Sequence, residues 1–400
     1  MQHGLPSYSR QNGKALWNSW RDVRVPSDRR EVPRSRELVV IFSLLLLTFG
    51  VGFAQLTAST NADPDPELPL LTRHPEFLHA GIAACCLLLG WSTTLSGKMI
   101  DRLLNKQVVG LALAIGLGLL GLSLFVANER WVTLGGLRFQ ASEPLKFAIP
   151  LLCGVSLART SGKVKIREHP WLLLITAGVA AAIAIQDLGS AALVLGTLVM
   201  LLFAAGADWR WLPAGIITLG LFGGLYIGME EYRIRRLGVW LAPWEQTNTN
   251  EGAQLTESLR AIHQGGLEGA GVGQGLRSQG YLPVDESDFV FAILAEETGV
   301  LGSALVLTTF AGLIFSLWRV AWQCPNPAAR WFGVAVTITV AMQTAINVWV
   351  ATGLLPTKGI ALPFISRAGT GWILLAGAIM ATLMASHPNH EPEPTLAADH

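Results

Sequence analysis

Residues 281–302 read YLPVDESDFVFAILAEETGVLG. Three acids, Asp285, Glu286 and Asp288, stand directly before an apolar run, and Glu296 and Glu297 lie inside it. A charged side chain in hydrocarbon costs about 2.5–3.5 kcal/mol on insertion scales, so an acid within such a run is by default a functional hypothesis. On one continuous helix rising 1.5 Å per residue, Glu296 lies roughly 12 Å deeper than Asp288. The arrangement reads as a carboxylate at a membrane surface backed by buried acids. The structural alternative is that the five cap helices, pair with bases or tie helices together.

Working outward, the composition is that of a membrane protein. Of 400 residues, 51% are hydrophobic and 14% charged, and the mean hydropathy is +0.44. Apolar runs able to cross about 30 Å of hydrocarbon recur along the chain. They predict an all-α polytopic fold of about ten transmembrane helices, near 38–58, 77–95, 107–126, 143–158, 171–186, 188–206, 211–229, 289–318, 331–354 and 365–386. A net charge of +1 gives no support for nucleic acid as a partner. Cys85, Cys86, Cys153 and Cys324 have neither disulfide nor zinc spacing.

The expected organisation is a basic cytoplasmic arm over 1–37, a membrane domain over 38–386 and a cytoplasmic tail over 387–400. Arg10, Lys14, Arg21, Arg24, Arg29, Arg30, Arg34 and Arg36 precede the first run, the wrong pattern for a cleaved signal peptide and the usual mark of the cytoplasmic side. With both termini inside, Lys98, Arg102, Lys106, Lys165, Arg167, Arg319 and Arg330 fall in inner loops, as the positive-inside rule requires. The same alternation puts 230–288 outside, a large extracytoplasmic loop between spans seven and eight. Connections of that length are functional or disordered, and Trp240, Trp244 and Tyr281 argue for order. Within it, ESLRAIHQGG (257–266) predicts a short amphipathic helix on the membrane. The glycine-rich piece from Gly265 to Gly275 lacks the preceding strand of a dinucleotide site and reads as flexible backbone beside a surface cleft.

Four polar groups fall on the outer face in this topology: Arg130, Arg138, Glu143 and Lys146; Gln186 and Asp187; the loop residues Arg233, Arg235, Arg236, Gln254, Arg260 and Asp288; and Lys358 in the turn-rich GLLPTKGIALPFIS. Cations can hold a pyrophosphate and neutralise the charge that develops as it leaves, while a carboxylate accepts a proton from an attacking hydroxyl. Together they suit glycosyl or phosphoryl transfer from a lipid carrier. Snorkelling Arg and Lys at helix ends are the bland reading of each cation.

Several ordered segments carry a resemblance. These are RWVTLGGLRFQASEPLKFAIPLL (from Arg130 and Trp131), IQDLGSAALVL (185–195), YRIRRLGVWLAPW (232–244), GAQLTESLRAIHQGGLEGAGVGQG (252–275), the opening stretch, and GLLPTKGIALPFISRAGT (353–370). In that order they resemble the SEDS family (shape, elongation, division and sporulation), the RodA and FtsW type of peptidoglycan glycosyltransferase, over about 38–386. The resemblance implies a multi-pass enzyme of the bacterial cytoplasmic membrane that polymerises lipid II at the outer face and works with a class B penicillin-binding protein. It implies Asp288 as the catalytic residue, general base toward the acceptor hydroxyl, with polyprenyl pyrophosphate as leaving group. Arg130, Glu143, Lys146, Gln254 and Lys358 fall at the substrate-binding positions. No metal-ligand motif is present, although a divalent cation at the pyrophosphate is chemically reasonable.

The chain departs from the family pattern at five points. Ala141 stands where proline is usual, no proline separates Gln186 from Asp187, Glu286 replaces a histidine, and Arg367 and Ala368 replace a tyrosine and a glycine. These departures keep a second class of function in view, a catalytically impaired scaffold that activates the partner synthase. A lipid II flippase would need polar residues at mid-depth along one path, whereas here charge gathers at the outer end, with Glu296 and Glu297 the main exceptions.

Overall fold

The computed structural model describes residues 31–58, 75–124, 131–134, 137–140, 142–158, 160, 164–208, 224, 228, 231–275, 289–357, 359–366 and 369–386. Its helices are α1 (Glu31–Ala58), α2 (Pro75–Ser92), a short α3 (Gly97–Leu103), α4 (Lys106–Leu122), α5 (Glu143–Leu157), α6 (Pro170–Ala184) and α7 (Leu188–Ala204). They continue as α8 (Glu231–Leu241), α9 (Asn250–Gly265), α10 (Val290–Gln323), α11 (Pro327–Ala351) and α12 (Thr370–Ala385). The arm, the tail and the stretch near 211–229 expected as span seven lie outside the described residues, apart from positions 224 and 228. Among the described residues, four helices, within α1, α2, α10 and α11, are long and apolar enough to cross a membrane, and shorter apolar helices accompany them. The chain is a multi-pass helical membrane protein.

Between the third and fourth expected spans the chain carries two strands. Strands β1 (Trp131–Leu134) and β2 (Leu137–Gln140) pair antiparallel, Trp131 opposite Gln140 and Leu134 opposite Leu137. The signal was present in the sequence: Gly135 and Gly136 between two β-favouring tetrapeptides are a hairpin pattern.

Two apolar clusters share α11. Phe332, Val336 and Val340 join α1, α2, α10 and α12, whereas Val334, Ala335 and Ile338 join α4, α5, α6 and α7. Apolar on both faces, α11 is the central post: 67% of its most apolar window is buried, against 28–44% for the other three candidate spans. A helix hydrophobic all round belongs in such a position.

The connections sort the helix ends. At one end Arg36 Nη2 donates to the carbonyls of Gly90 and Trp91, both at 3.0 Å, so its guanidinium caps the C-terminus of α2 and complements that helix dipole. Asn326 Nδ2 donates to Asp101 Oδ1 at 2.7 Å there, joining α3 to the start of α11. At the other end gather the N-termini of α7 and α10, the C-terminus of α11 and the link between α11 and α12. Phe289, Phe291, Ala261 and Val350 form a small cluster there.

Candidate active site at one end of the bundle

The 34-residue α10 is not one continuous helix. Gly299 has φ +65 and ψ −164, which divides it into 290–298 and 300–323. In an unbroken helix Val300 N would bond Glu296 O and Leu301 N would bond Glu297 O. Both bonds are replaced by the glycine-rich segment after α9. Ala270 N donates to Glu296 O (2.8 Å) and Gly271 N to Glu297 O (3.0 Å), while Val300 N donates to Gly266 O (2.9 Å) and Leu301 N to Leu267 O (3.3 Å). All four backbone groups opened by the break are therefore satisfied, as a low-dielectric surrounding demands.

This corrects two sequence expectations. The glycine-rich piece up to Gly275 is a strap packed on α10 and not flexible backbone. Glycine is needed because Gly269 has φ +85 and a Cβ there would overlap the Glu297 carbonyl. The helix expected over 257–266 runs from Asn250 and packs on α10 and α11, with Ser258 Oγ donating to Ala351 O at 2.8 Å. Glu296 and Glu297, each 1% exposed, end the first segment of α10, and a Cβ on Gly275 would press on the Glu296 carboxylate. The expectation that they are buried acids holds. Asp288, the expected base, lies outside the described residues, one position before buried Phe289 at the head of segment 290–298.

The link between α11 and α12 folds back into the bundle. Asn347 Nδ2 donates to Ile360 O (2.7 Å), Gln343 Nε2 to Ala361 O (3.1 Å), Leu362 N to Ser366 Oγ (2.7 Å), and Trp372 Nε1 to Ser366 O (2.8 Å). Buried Phe364 sits at φ +59, a left-handed conformation costing a non-glycine residue about 1–3 kcal/mol. Its carbonyl lies so close to Gly50 of α1 that a side chain at 50 would collide with it. The turn-rich stretch is buried within the protein at Ile360, Leu362, Phe364 and Ile365. Lys358 lies outside the described residues.

Asp187 is committed to structure. Its Oδ1 accepts from Gly189 N (3.0 Å) and its Oδ2 from Ser190 Oγ (2.6 Å), capping α7. Gln140 at the end of β2 donates to Asp187 Oδ2 at 3.5 Å, and Gln186 Oε1 accepts from Ser123 Oγ at 3.0 Å. The polar pair Gln186 and Asp187, one of the four expected outer groups, therefore anchors helices and the hairpin.

Glu143 and Lys146 open α5, with Lys146 Nζ 2.6 Å from Glu143 Oε1 and exposures of only 3% and 4%. The sequence marked both, but their mutual pairing inside the bundle comes from the structure. An ion pair taken this far from water costs desolvation that its attraction only partly offsets. Gln254 is half-buried on α9, the helix that carries the strap. Arg130 lies outside the described residues, as does the side chain of Arg138.

The family described as cell cycle protein, FtsW/RodA/SpoVE, matches residues 36–391. The probable peptidoglycan glycosyltransferase FtsW of Geobacter metallireducens is 30% identical over 371 residues, covering 89% of this chain and 96% of that one. Stage V sporulation protein E of Bacillus subtilis is 30% identical over 358 residues, covering 87% and 96%. A solved chain from a peptidoglycan synthase complex that coordinates polymerization and crosslinking has a TM-score of 0.67 at 23% identity, covering 87% of this chain and 96% of its own.

Proposed function

This chain belongs to the SEDS family, the FtsW, RodA and SpoVE group of cell cycle proteins, and on that premise we propose that it is a peptidoglycan glycosyltransferase polymerising lipid II at the outer face of the bacterial cytoplasmic membrane. Asp288 takes the proton of the acceptor sugar 4-hydroxyl as that oxygen bonds to the donor's anomeric carbon. The bond from that carbon to the pyrophosphate oxygen breaks, and the electron pair leaves with polyprenyl pyrophosphate. Arg130 and Lys358 meet the negative charge that develops on it, the task for which fixed cations are most effective in a poorly hydrated site. Lys146, its ammonium held by Glu143 at 2.6 Å, adds a cation that cannot swing away. Gln254 offers an amide to the glycan. In this reading both termini are cytoplasmic, and 230–288 faces outward as a platform for the class B penicillin-binding protein.

The observation that carries the reading is the strapped segment 290–298. Phe289 and Phe291 at its start pack beside the ends of α9 and α11, and a rigid support of that kind suits a base that directly precedes it in the sequence. The test supplies labelled lipid II to the protein purified with its cognate transpeptidase. Wild type should make glycan chains, and Asp288→Ala should make none. Equal polymer from both would remove Asp288 from the mechanism. Polymer from neither would favour the activating scaffold, the reading to which Glu286 and Arg367 lend support. For topology, an accessibility label at Ser278 should react in intact cells, and reaction only after permeabilisation would invert the orientation.

A further inference from the structure

At the end of the bundle opposite the candidate site, a polar cavity of about 540 Å³ lies between α3, α4, α5 and the start of α11. Its volume falls within the roughly 300–1,000 Å³ of small-ligand pockets. Asp101 and Lys106 both line it, yet neither belongs to an ion pair among the described residues; Asp101 accepts only the Asn326 amide. An acid and a base in one cavity, left unpaired with each other, offer a place to each sign of charge. The N-terminus of α4, with its cap Asn105, opens on the same space and adds partial positive charge on the Lys106 side, while Asn326, the cap of α11, bonds Asp101.

A second cavity, of about 250 Å³, adjoins the first through their common wall residue Leu104. It is apolar and runs between Val108 of α4, Phe147 and Leu151 of α5, Phe332 of α11 and Gly377 of α12. Gly377 has open space where a Cβ would stand. The depth of the polar mouth is marked by Trp318, Trp322 and Trp331 in an edge-to-face chain, with Arg330 over Trp322 at 6.0 Å, the residue types that settle at the headgroup level of a bilayer.

The geometry points to a binding site for one glycerophospholipid with an amine headgroup. Its phosphate is held at Lys106, its ammonium at Asp101, and an acyl chain fills the apolar cavity. The site lies at the other end of the bundle from the candidate chemistry and is independent of the glycosyltransferase reading.

The test is native mass spectrometry of the full-length protein in detergent with dioleoyl-phosphatidylethanolamine, dioleoyl-phosphatidylglycerol or inorganic phosphate added. Wild type should retain the amine lipid over the glycerol lipid by about fivefold, the scale of one partly exposed charge pair. Asp101→Asn, which keeps the shape and an acceptor for Asn326, should abolish that preference. Lys106→Gln should lower retention of both lipids, and Gly377→Leu, filling the chain cavity, should do the same without changing their ratio. Thermal unfolding like that of wild type verifies that each variant is folded. Equal retention of the two lipids by wild type, an unchanged preference in Asp101→Asn, or displacement of the lipid by inorganic phosphate would each overturn the proposal.

Discussion

Two interruptions of helical structure lie at the candidate-site end, and they are mended by different means. The break in α10 at Gly299 is closed by backbone groups alone, four hydrogen bonds from the strap at 266–271. The link between α11 and α12 is closed largely by side chains: Asn347, Gln343, Ser366 and Trp372 each make a hydrogen bond to its backbone. Both answer the same requirement, since a backbone group left unpaired away from water costs several kcal/mol. The difference teaches where each is vulnerable. A backbone repair is broken by adding atoms, and a side-chain repair by removing them.

Gly269→Val should have the largest effect. The new side chain would meet the Glu297 carbonyl and the Gly299 nitrogen at a φ of +85, combining overlap with strain. The expected outcome is loss of folded monomer on size-exclusion chromatography in detergent. Next comes Lys146→Met, which leaves Glu143 buried without its partner and should cost about 3–5 kcal/mol in a denaturation series. The double change Glu143→Leu with Lys146→Met should recover most of that loss, and failure to do so would mean the pair is held by something other than mutual charge. Asn347→Leu orphans the Ile360 carbonyl and should cost about 1–3 kcal/mol by the same measurement. Gly266→Ala should be mildest. The site has open space but φ +52 and ψ −141, a region that favours glycine, so strain alone, about 1–2 kcal/mol, should register as a small shift in unfolding temperature. A Gly266→Ala loss as large as that of Gly269→Val would show that conformation, and not crowding by α10, sets the glycine requirement.

The candidate site was unevenly legible. Glu143 and Lys146 were marked as polar residues at a helix entrance, but pairing at i,i+3 is common on surfaces, and only packing made this pair buried. The broken α10 left a trace in the sequence, since Thr298 and Gly299 interrupt the apolar run as a helix end would, yet the run on both sides outweighed it. The strap was misread because glycine is equally the residue of mobile loops and of tightly apposed backbone. Asp187 stood out with Gln186 as one of the polar groups on the outer face and proved to be an N-cap, a role whose local signal, Asp before a helix with Ser three residues on, was there to read.

By itself the sequence determined that this is a helical membrane chain, where most helices begin and end, and which ordered motifs tie it to a family. Those properties follow from local hydropathy and residue order, which survive without knowledge of what packs on what. Only the tertiary structure decided that α11 stands at the centre, that 266–271 completes the hydrogen bonding of α10, and that residues 362–366 of the link are buried. Each of these depends on backbone groups meeting partners far away in the chain, and hydropathy does not encode which partners they find.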